Sequence, residues 1–366
     1  MRVLVVNAGS SSLKLTRLEA DGSVTAATTV QPWRGEGDMG PLREFLRDSG
    51  PVDAVGHRIV HGGARHRDPV VVDDVLVAYL YSISHLAPLH QPRALAGVRA
   101  VRDLLPDVPA VACFDTGFHA TMPAAAATYP LPAEWNERWG LRRYGFHGLS
   151  HAYAARRGAE ILGRESADLR IISCHLGAGA SLAAVAGGIS VDTTMGFTPL
   201  AGLVMNTRPG TLDPGLVLWL LEHGGIPLTE LTDVLEHHSG LKGLSGTDGD
   251  VREVLAGRAA GDPACALAFD VYLHRLAREA AALTAATGGL DLLVLTGGVG
   301  EHSWEVREAL AEGLRHLGVA IDPERNRAAG SDADISGPGA EVRTVVVTAR
   351  EDVEIRRHVV EVLSDD

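Results

Sequence analysis

Short apolar runs closed by glycine alternate along the chain with longer stretches of helical spacing. Val3 to Val6 is an apolar run ending in a Gly/Ser turn, and Leu13 to Leu18 resumes after it, which predicts strand, tight loop, strand. Residues 73–86 and 92–105 have helical spacing. Ala110 to Phe114 reads as a buried strand ending at Asp115. Ser150 is placed to cap a helix running to about Leu162. Arg170 to Cys174 is a further buried strand, and Ser181 to Val185 continues it after a Gly-rich turn. Residues 263–287 predict one long Ala- and Leu-rich helix. Leu292 to Leu295 is a strand stopped by Gly297 and Gly298; 303–317 is helical, 342–348 a strand and 351–363 a closing helix. Strands and helices mixed throughout argue for an α/β architecture with covered sheets.

The pattern also repeats faintly. VLVVNAGSSSLKL near the start is echoed by IISCHLGAGASLAAV at 171–185: an apolar strand, a polar residue (Asn7, His175), a Gly-containing turn, a serine, a leucine and a second strand. Either the chain holds a duplicated domain, or two Gly-rich hairpins are alike by chance. Its 366 residues exceed one ordinary core, so two domains are expected.

Charge and composition narrow the function classes. Lys and Arg number 33 against 46 Asp and Glu, a formal charge of −13, so the bulk footprint of a nucleic-acid binder is missing. An anionic substrate therefore needs a local basic pocket built against the global field. Cys113, Cys174 and Cys265 lie far apart with no C-x-x-C pair, which disfavours a zinc site or disulfide framework and fits a reducing cytoplasm. The start, MRVLVVNAGSSS, has no apolar run long enough for a signal peptide, and no stretch reaches the roughly 20 apolar residues of a membrane span.

Several segments carry chemistry. Asn7 to Lys14 (NAGSSSLK) is a tight hairpin whose backbone N–H groups and hydroxyls suit phosphate oxygens, with Lys14 adding charge. It is neither a Walker loop nor a dinucleotide fingerprint, because a strand follows it. Arg58 lies in an otherwise apolar run, GHRIVHGG, and needs a partner if buried: a carboxylate or phosphate ligand, or a structural salt bridge. Asp115 follows a buried strand, where α/β proteins place active sites. His147 and His151 are four apart, a spacing that suggests zinc. Gly148 between them and the lack of a third nearby ligand argue against it, and His147 is better read as a phosphate or oxyanion donor, or as a packed histidine. His175 to Ser181 is a second Gly-rich hairpin, Arg208 sits in a turn, and Gly297 to Glu301 lets a flat base or its phosphates approach bare backbone.

Singly these are weak; in order they are not. VNAGSSSLK, GHRIVHGG, APLHQP, FDTGFH, RRYGFHGLSH, DTTMGFTPLAGLVMNTR and TGGVGE follow one another as in the acetate kinase family, which the chain resembles from residue 3 to about 355. The resemblance implies two duplicated ribonuclease-H-like domains of the actin-like ATPase fold facing across a nucleotide cleft: residues 1–147, with the helix 351–366 packing back on them, and 148–350, for nucleotide binding and dimerisation. It implies reversible phosphoryl transfer between ATP and acetate or a similar short carboxylate, a magnesium (or manganese) ion, and a homodimer. It further implies that Asn7, Ser10, Ser12 and Lys14 form a phosphate hairpin and that Arg58 and Arg208 hold the carboxylate and the phosphoryl group. Asp115 resembles the catalytic acidic residue and His147 the transition-state stabiliser. His175, Leu176, Gly177, Ala178 and Gly179 correspond to the nucleotide hairpin. Asp250, Val251 and Arg252 correspond to an adenosine-side contact, and Gly297, Gly298, Val299, Gly300 and Glu301 to the adenine–ribose clamp. Val60, Leu89, Phe146 and Pro199 match the acyl-pocket walls.

This chain departs from the family pattern on the nucleotide side. Ala178 stands where the family has Asn, Pro209-Gly210-Thr211 replaces S-G-D, and His302 replaces Asn. The family's C-terminal T-N-E-E-L-x-I is here Thr348 to Ile355, and without a gap Arg350 falls on the metal position. A one-residue insertion instead puts Glu351 there, beside Asn7, and restores Val353 and Ile355 to apolar positions. The chain is also short for the family between about residues 20 and 50. Three other readings compete: a metal-dependent hydrolase using His147, His151 and Asp115; a sugar kinase; and a degenerate nucleotide-binding regulator, motivated by Ala178, Pro209 and Arg350.

Overall fold

The computed structural model describes residues 1–364 apart from 10, 11, 32, 34–39 and 89. Six strands form the first sheet: β1 (Val3–Ala8), β2 (Leu13–Leu18), β3 (Val24–Val30), β4 (Ala54–Ile59), β5 (Val70–Val71) and β6 (Ala110–Phe114), in the order β3-β2-β1-β4-β6-β5. β1, β2 and β3 make an antiparallel meander, whereas β4 and β6 run parallel to β1. Parallel strands need helices on both faces, and the residue alternation supplies two apolar faces. Leu4, Val6, Ala8, Val55 and Ile59 share one core with the helices Asp74–Ser82 and Gln91–Leu104. Val3, Val5, Ala54, Val111 and Cys113 share the other with Leu149, Ile355 and Val359.

Gly56 allows that second face to close. A Cβ there would stand 2.4 Å from Ile355 Cγ2 and 2.8 Å from Val359 Cγ2. The helix Glu351–Ser364 therefore lies directly on the strand, an approach that only glycine permits.

The second sheet repeats the plan: β7 (Ile171–Leu176), β8 (Ala180–Ala186), β9 (Ile189–Thr193), β10 (Leu292–Thr296), β11 (Ala333–Asp334) and β12 (Arg343–Val346), in the order β11-β12-β10-β7-β8-β9. β7-β8-β9 is again an antiparallel meander, with β10 and then β12 parallel to β7. A register irregularity recurs too, at Arg17/Leu18 in β2 and at Ala184/Val185 in β8. The echo between the two hairpins is thus a repeated sheet and not chance. The long helix Pro263–Thr287 packs on β7, β8 and β9. Asp262 caps it by accepting from Ala264 N and Cys265 N, proline takes the first turn and Gly288 in a left-handed conformation ends it.

Three local expectations need correction. Ser150 is not a cap: the helix runs Gly148–Ile161, starting two residues earlier because the backbone turns at His147. The helix expected over 73–86 stops at Ser82 and passes into a 3-10 turn, Ser84–Leu86. The strand expected over 342–348 is only Arg343–Val346.

The chain divides into two compact units. One is Met1–Ala120, Phe146–Tyr153 and Arg350–Asp366; the other is Thr121–Gly145 and Ala154–Ala349. Thr121–Gly145, which the sequence groups with the first domain, makes its bonds in the second. The Tyr129 hydroxyl accepts from Phe197 N at 2.8 Å, and Arg143 Nη1 donates to the carbonyls of Thr193, Thr194 and Met195 at 3.1–3.2 Å.

Three histidines are built into the first unit in the neutral form. Burial lowers His57 to about 3, His61 to about 4 and His119 to about 4. The unfolded chain takes up these protons below about pH 6.5 and the native state does not. Stability is therefore complete above that pH and falls as pH drops towards 4, by at most ~4 kcal/mol per pH unit for three groups. Urea unfolding at pH 7, 6 and 5 checks this; a midpoint that does not move contradicts it.

Candidate active site

The first unit gathers its polar residues at one place because of strand register. Asn7 pairs with Arg58 across β1 and β4, and Asp115 follows the end of β6. By the period-2 rule all three fall on the face that carries Val3, Val5 and Cys113. They lie at the carboxyl ends of neighbouring parallel strands, where open α/β sheets bind ligands. The same face receives the helix Glu351–Ser364, so its first residue meets them.

Arg58 is the centre of the cluster. Its Nε and Nη2 donate to Asp115 Oδ1 and Oδ2 at 3.1 and 2.5 Å, and its Nη1 donates to Asn7 Oδ1 at 3.1 Å. Asn7 Nδ2 donates to Glu351 Oε2 at 2.9 Å, and that oxygen lies 3.7 Å from Arg58 Nε. The Asp115 carboxylate is 1% exposed and the Arg58 side chain 14%. Burial pushes Asp115 up to about 6; Arg58 pulls it down and Glu351 pushes it further up. Burial works against the charge on Arg58, but Asp115 and Glu351 outweigh it and hold the guanidinium above its usual value. Of the two C-terminal candidates, Glu351 stands in the cluster, while Arg350 Nε lies 2.9 Å from Asp352 Oδ1.

Around this cluster lie the other candidates of the first unit. Gly9 N donates to Ser12 O at 2.7 Å, closing the first hairpin, and Lys14 is exposed opposite Asn7. Ser10 and Leu89 lie outside the described residues. Val60 and Phe146 are buried apolar side chains, and Phe146 meets His61 edge-on at 5.6 Å. His147 has a φ of 57°, the one positive φ outside glycine among the described residues. Gly148 N next to it donates to Asp115 O at 2.8 Å.

The second unit offers a cavity of about 880 Å³. Gly177 and Ala178 of the β7–β8 hairpin line it, with Asp250, Val251 and Arg252 at the start of the helix Val251–Ala259, and Gly298 and Val299 after β10. Gly297 has a φ of 78°, and a Cβ there would stand 2.7 Å from Leu176 O, so the turn after β10 can sit against the end of β7 only with glycine. Asp250 caps its helix and takes both ends of the Arg252 fork, at 2.9 and 2.5 Å. The Glu301 carboxylate accepts from Ala349 N at 3.0 Å. His175 lies one residue before the end of β7 and is not among the lining residues. Arg208 Nη1 donates to Pro199 O at 2.9 Å; burial lowers this guanidinium below its usual value while Glu236 raises it. No carboxylate among the described residues is salt-bridged to Arg208.

Sequence reasoning missed other walls of this cavity: Asn206, Leu255, Ala256, Ala259 and Trp304. The helical spacing from Asp250 carried a signal, since 251, 255 and 259 share one stripe. Nothing local marked Trp304.

Two sheets of the same strand order, each an antiparallel meander flanked by parallel strands, define the duplicated α/β architecture of the actin-like ATPases. Within it the chain belongs to the acetokinase family, whose model its residues 42–357 match. It is 42% identical to the acetate kinase of Nostoc punctiforme, over 100% of both chains. Among solved structures it is similar to Porphyromonas gingivalis acetate kinase, at 34% identity and a TM-score of 0.91 over 99% of each chain. It is similar also to a propionate kinase from Francisella tularensis, at 32% identity and a TM-score of 0.89 over 98% of each.

The cluster has a stability consequence that its geometry alone dictates. Arg58→Ala leaves the buried Asp115 without its cation and should cost about 3–5 kcal/mol. Arg58→Ala combined with Asp115→Asn should recover part of that loss, because the most buried carboxylate is then gone and only the less buried Glu351 is left without the cation. Urea denaturation of both variants checks this, and strictly additive losses contradict it.

Proposed function

We propose that this chain is an acetate kinase, transferring a phosphoryl group reversibly between ATP and acetate to give ADP and acetyl phosphate. One observation carries the reading. The largely buried Arg58 guanidinium is held by Asp115 and Asn7 at the strand ends, and its unit also buries the apolar Val60 and Phe146, all in sequence segments shared with the family. A cation with apolar walls suits a short carboxylate, whereas a sugar kinase needs polar walls and a base for a neutral hydroxyl.

A carboxylate is already ionised at pH 7, its pKa being near 4–5, so no base is needed to make the nucleophile. Catalysis then consists of alignment and neutralisation of charge on the moving group. Arg58 is assigned that charge in the first unit, with Asp115 orienting it and not removing a proton. Arg208, a half-buried cation bonded to a backbone carbonyl, is assigned to the same anion class. His147 is assigned as a donor to the phosphoryl oxygens, which gives its uncommon backbone conformation a purpose. Ser12 and Lys14, with Ser10, are assigned to the phosphates; the cavity of the second unit is assigned to the nucleoside.

The oxygen donors Asn7 and Glu351 fit a hard divalent cation, which keeps water and takes phosphate oxygens besides one or two carboxylates. They would hold magnesium, which would neutralise phosphate charge. A homodimer is also proposed. The helix Pro214–Glu222 is apolar and has no buried residue, with Leu218 and Trp219 57% and 54% exposed, and a second copy would cover it. The three buried free cysteines suit a reducing cytoplasm. Among the described residues no helix is long and apolar enough to cross a membrane.

Two experiments test these assignments. The first traps acyl phosphate with hydroxylamine in the presence of ATP and magnesium. Acetate should be the best acid, propionate slower and butyrate poor, since one methylene is worth only about 1–3 kcal/mol in an apolar pocket. Val60→Ala should shift preference towards propionate. In the same assay Glu351→Ala should raise the magnesium requirement and Arg350→Ala should not. No hydroxamate with any short acid rejects the kinase reading; butyrate above acetate rejects the tight acyl pocket. The second is sedimentation of Trp219→Glu, expected to be monomeric where the parent is dimeric; a monomeric parent rejects the dimer.

A further inference from the structure

Trp304 stands where the nucleoside cavity meets the helix Trp304–Gly313, and its side chain lines that cavity. Its place is fixed by two neighbours. Arg327 lies over the indole at 5.0 Å, and Asn326 Nδ2 donates to Trp304 O at 3.0 Å. Asn326 is itself held by Arg307, whose Nε reaches Asn326 Oδ1 at 2.7 Å and whose Nη2 reaches Asn326 O at 2.6 Å. Arg307 is buried and also binds the carbonyls of Gly300 and Glu301, at 3.0 and 2.7 Å. A buried guanidinium held mainly by backbone oxygens is a rigid clamp. It ties the turn after β10, the indole and the helix Pro323–Ala328 into one frame.

The wall facing it is small or apolar, and Asn206, Asp250, Arg252, His302, Ser303 and Glu305 supply the polar lining. Leu255, Ala256 and Ala259 come from one stripe of the facing helix, and the two alanines leave space for a bicyclic ring. Much of the polar lining is already engaged: Asp250 with Arg252, and Ser303 with Glu305 at 3.1 Å. That leaves Asn206 and His302 to meet the hydrogen-bonding edge of a base, while a pinned aromatic wall offers a stacking surface. Stacking is sequence-tolerant and grows with the area of the ring.

Building on the nucleotide assignment of this cavity, we propose that Trp304 is a specificity-determining residue that stacks on the base and selects purine over pyrimidine nucleotides by ring area.

The test is calorimetric titration of the full-length protein, in magnesium, with ADP, GDP, CDP, UDP and inorganic pyrophosphate. The parent should bind ADP and GDP about ten-fold more tightly than CDP and UDP. Trp304→Ala should lose about ten- to hundred-fold for ADP, the range that stacking of one base is worth. It should leave pyrophosphate unchanged, which also shows that the variant is folded. Trp304→Phe should retain most of the ADP affinity, and quenching of indole fluorescence by ADP should shrink in both variants. ADP affinity within about two-fold of the parent in Trp304→Ala overturns the proposal and leaves the kinase reading intact. An equal loss for pyrophosphate overturns it as well, since the effect is then not on the base. A parent that binds no nucleotide overturns this proposal and the nucleotide assignment together.

Discussion

A guanidinium buried at the end of a parallel strand governs the first unit. Arg58 cannot remain charged and dry without acceptors, and an unpaired buried charge costs more than the unit could spare. Asp115 takes two of its donors, Asn7 a third, and Glu351 stands close by. Each acceptor arrives from a different part of the chain, separated by 51, 57 and some 290 residues. The sheet register, the return of the last helix and the absence of a side chain at Gly56 are all needed to bring them together. The same arrangement that satisfies the arginine leaves the cation fixed at the strand ends.

The duplication makes the chemistry of each unit easier to read. Asn7 pairs with Arg58 in the first sheet, and His175 with Thr296 at the corresponding place in the second. A charged residue at the strand end gathers carboxylates and an amide into a polar cluster. An uncharged residue there, followed by Gly297 and Gly298, produces a bare turn and an open, mostly apolar cavity. One frame thus yields two kinds of site, because register decides which positions face the strand ends and the side chains at those positions decide what is bound.

The second unit spends its buried charge differently. Arg307 meets carbonyl oxygens and an amide, not a carboxylate, so it serves geometry and contributes no ion pair. Its bonds fix the short helix Gly297–His302 against the helix Pro323–Ala328, and the cavity wall inherits that rigidity. Arg143 does the same for the loop that carries Pro199, clamping three successive carbonyls. Preorganised loops of this kind lose little entropy when a ligand orders them.

The sequence by itself determined seven of the twelve described strands, β1, β2, β6, β7, β8, β10 and β12, because short apolar runs closed by glycine have few alternatives, and it determined the long helix Pro263–Thr287, whose cap, first-turn proline and terminal glycine are all local. It determined the repeat, since the same hairpin pattern occurs twice. It determined the order of motifs on which membership of the family rests. Only the tertiary structure decided the rest. Glu351 and not Arg350 enters the polar cluster because the helix docks on Gly56, a packing event with no local trace. Ser150 looked like a cap by composition, but the left-handed backbone at His147 starts the helix earlier. Trp304, Ala256 and Ala259 carry no signature of a binding wall, being apolar residues in helices like many others. They become one only where two distant helices and a glycine turn leave a cavity between them, and cavities are a property of packing that residue patterns do not encode.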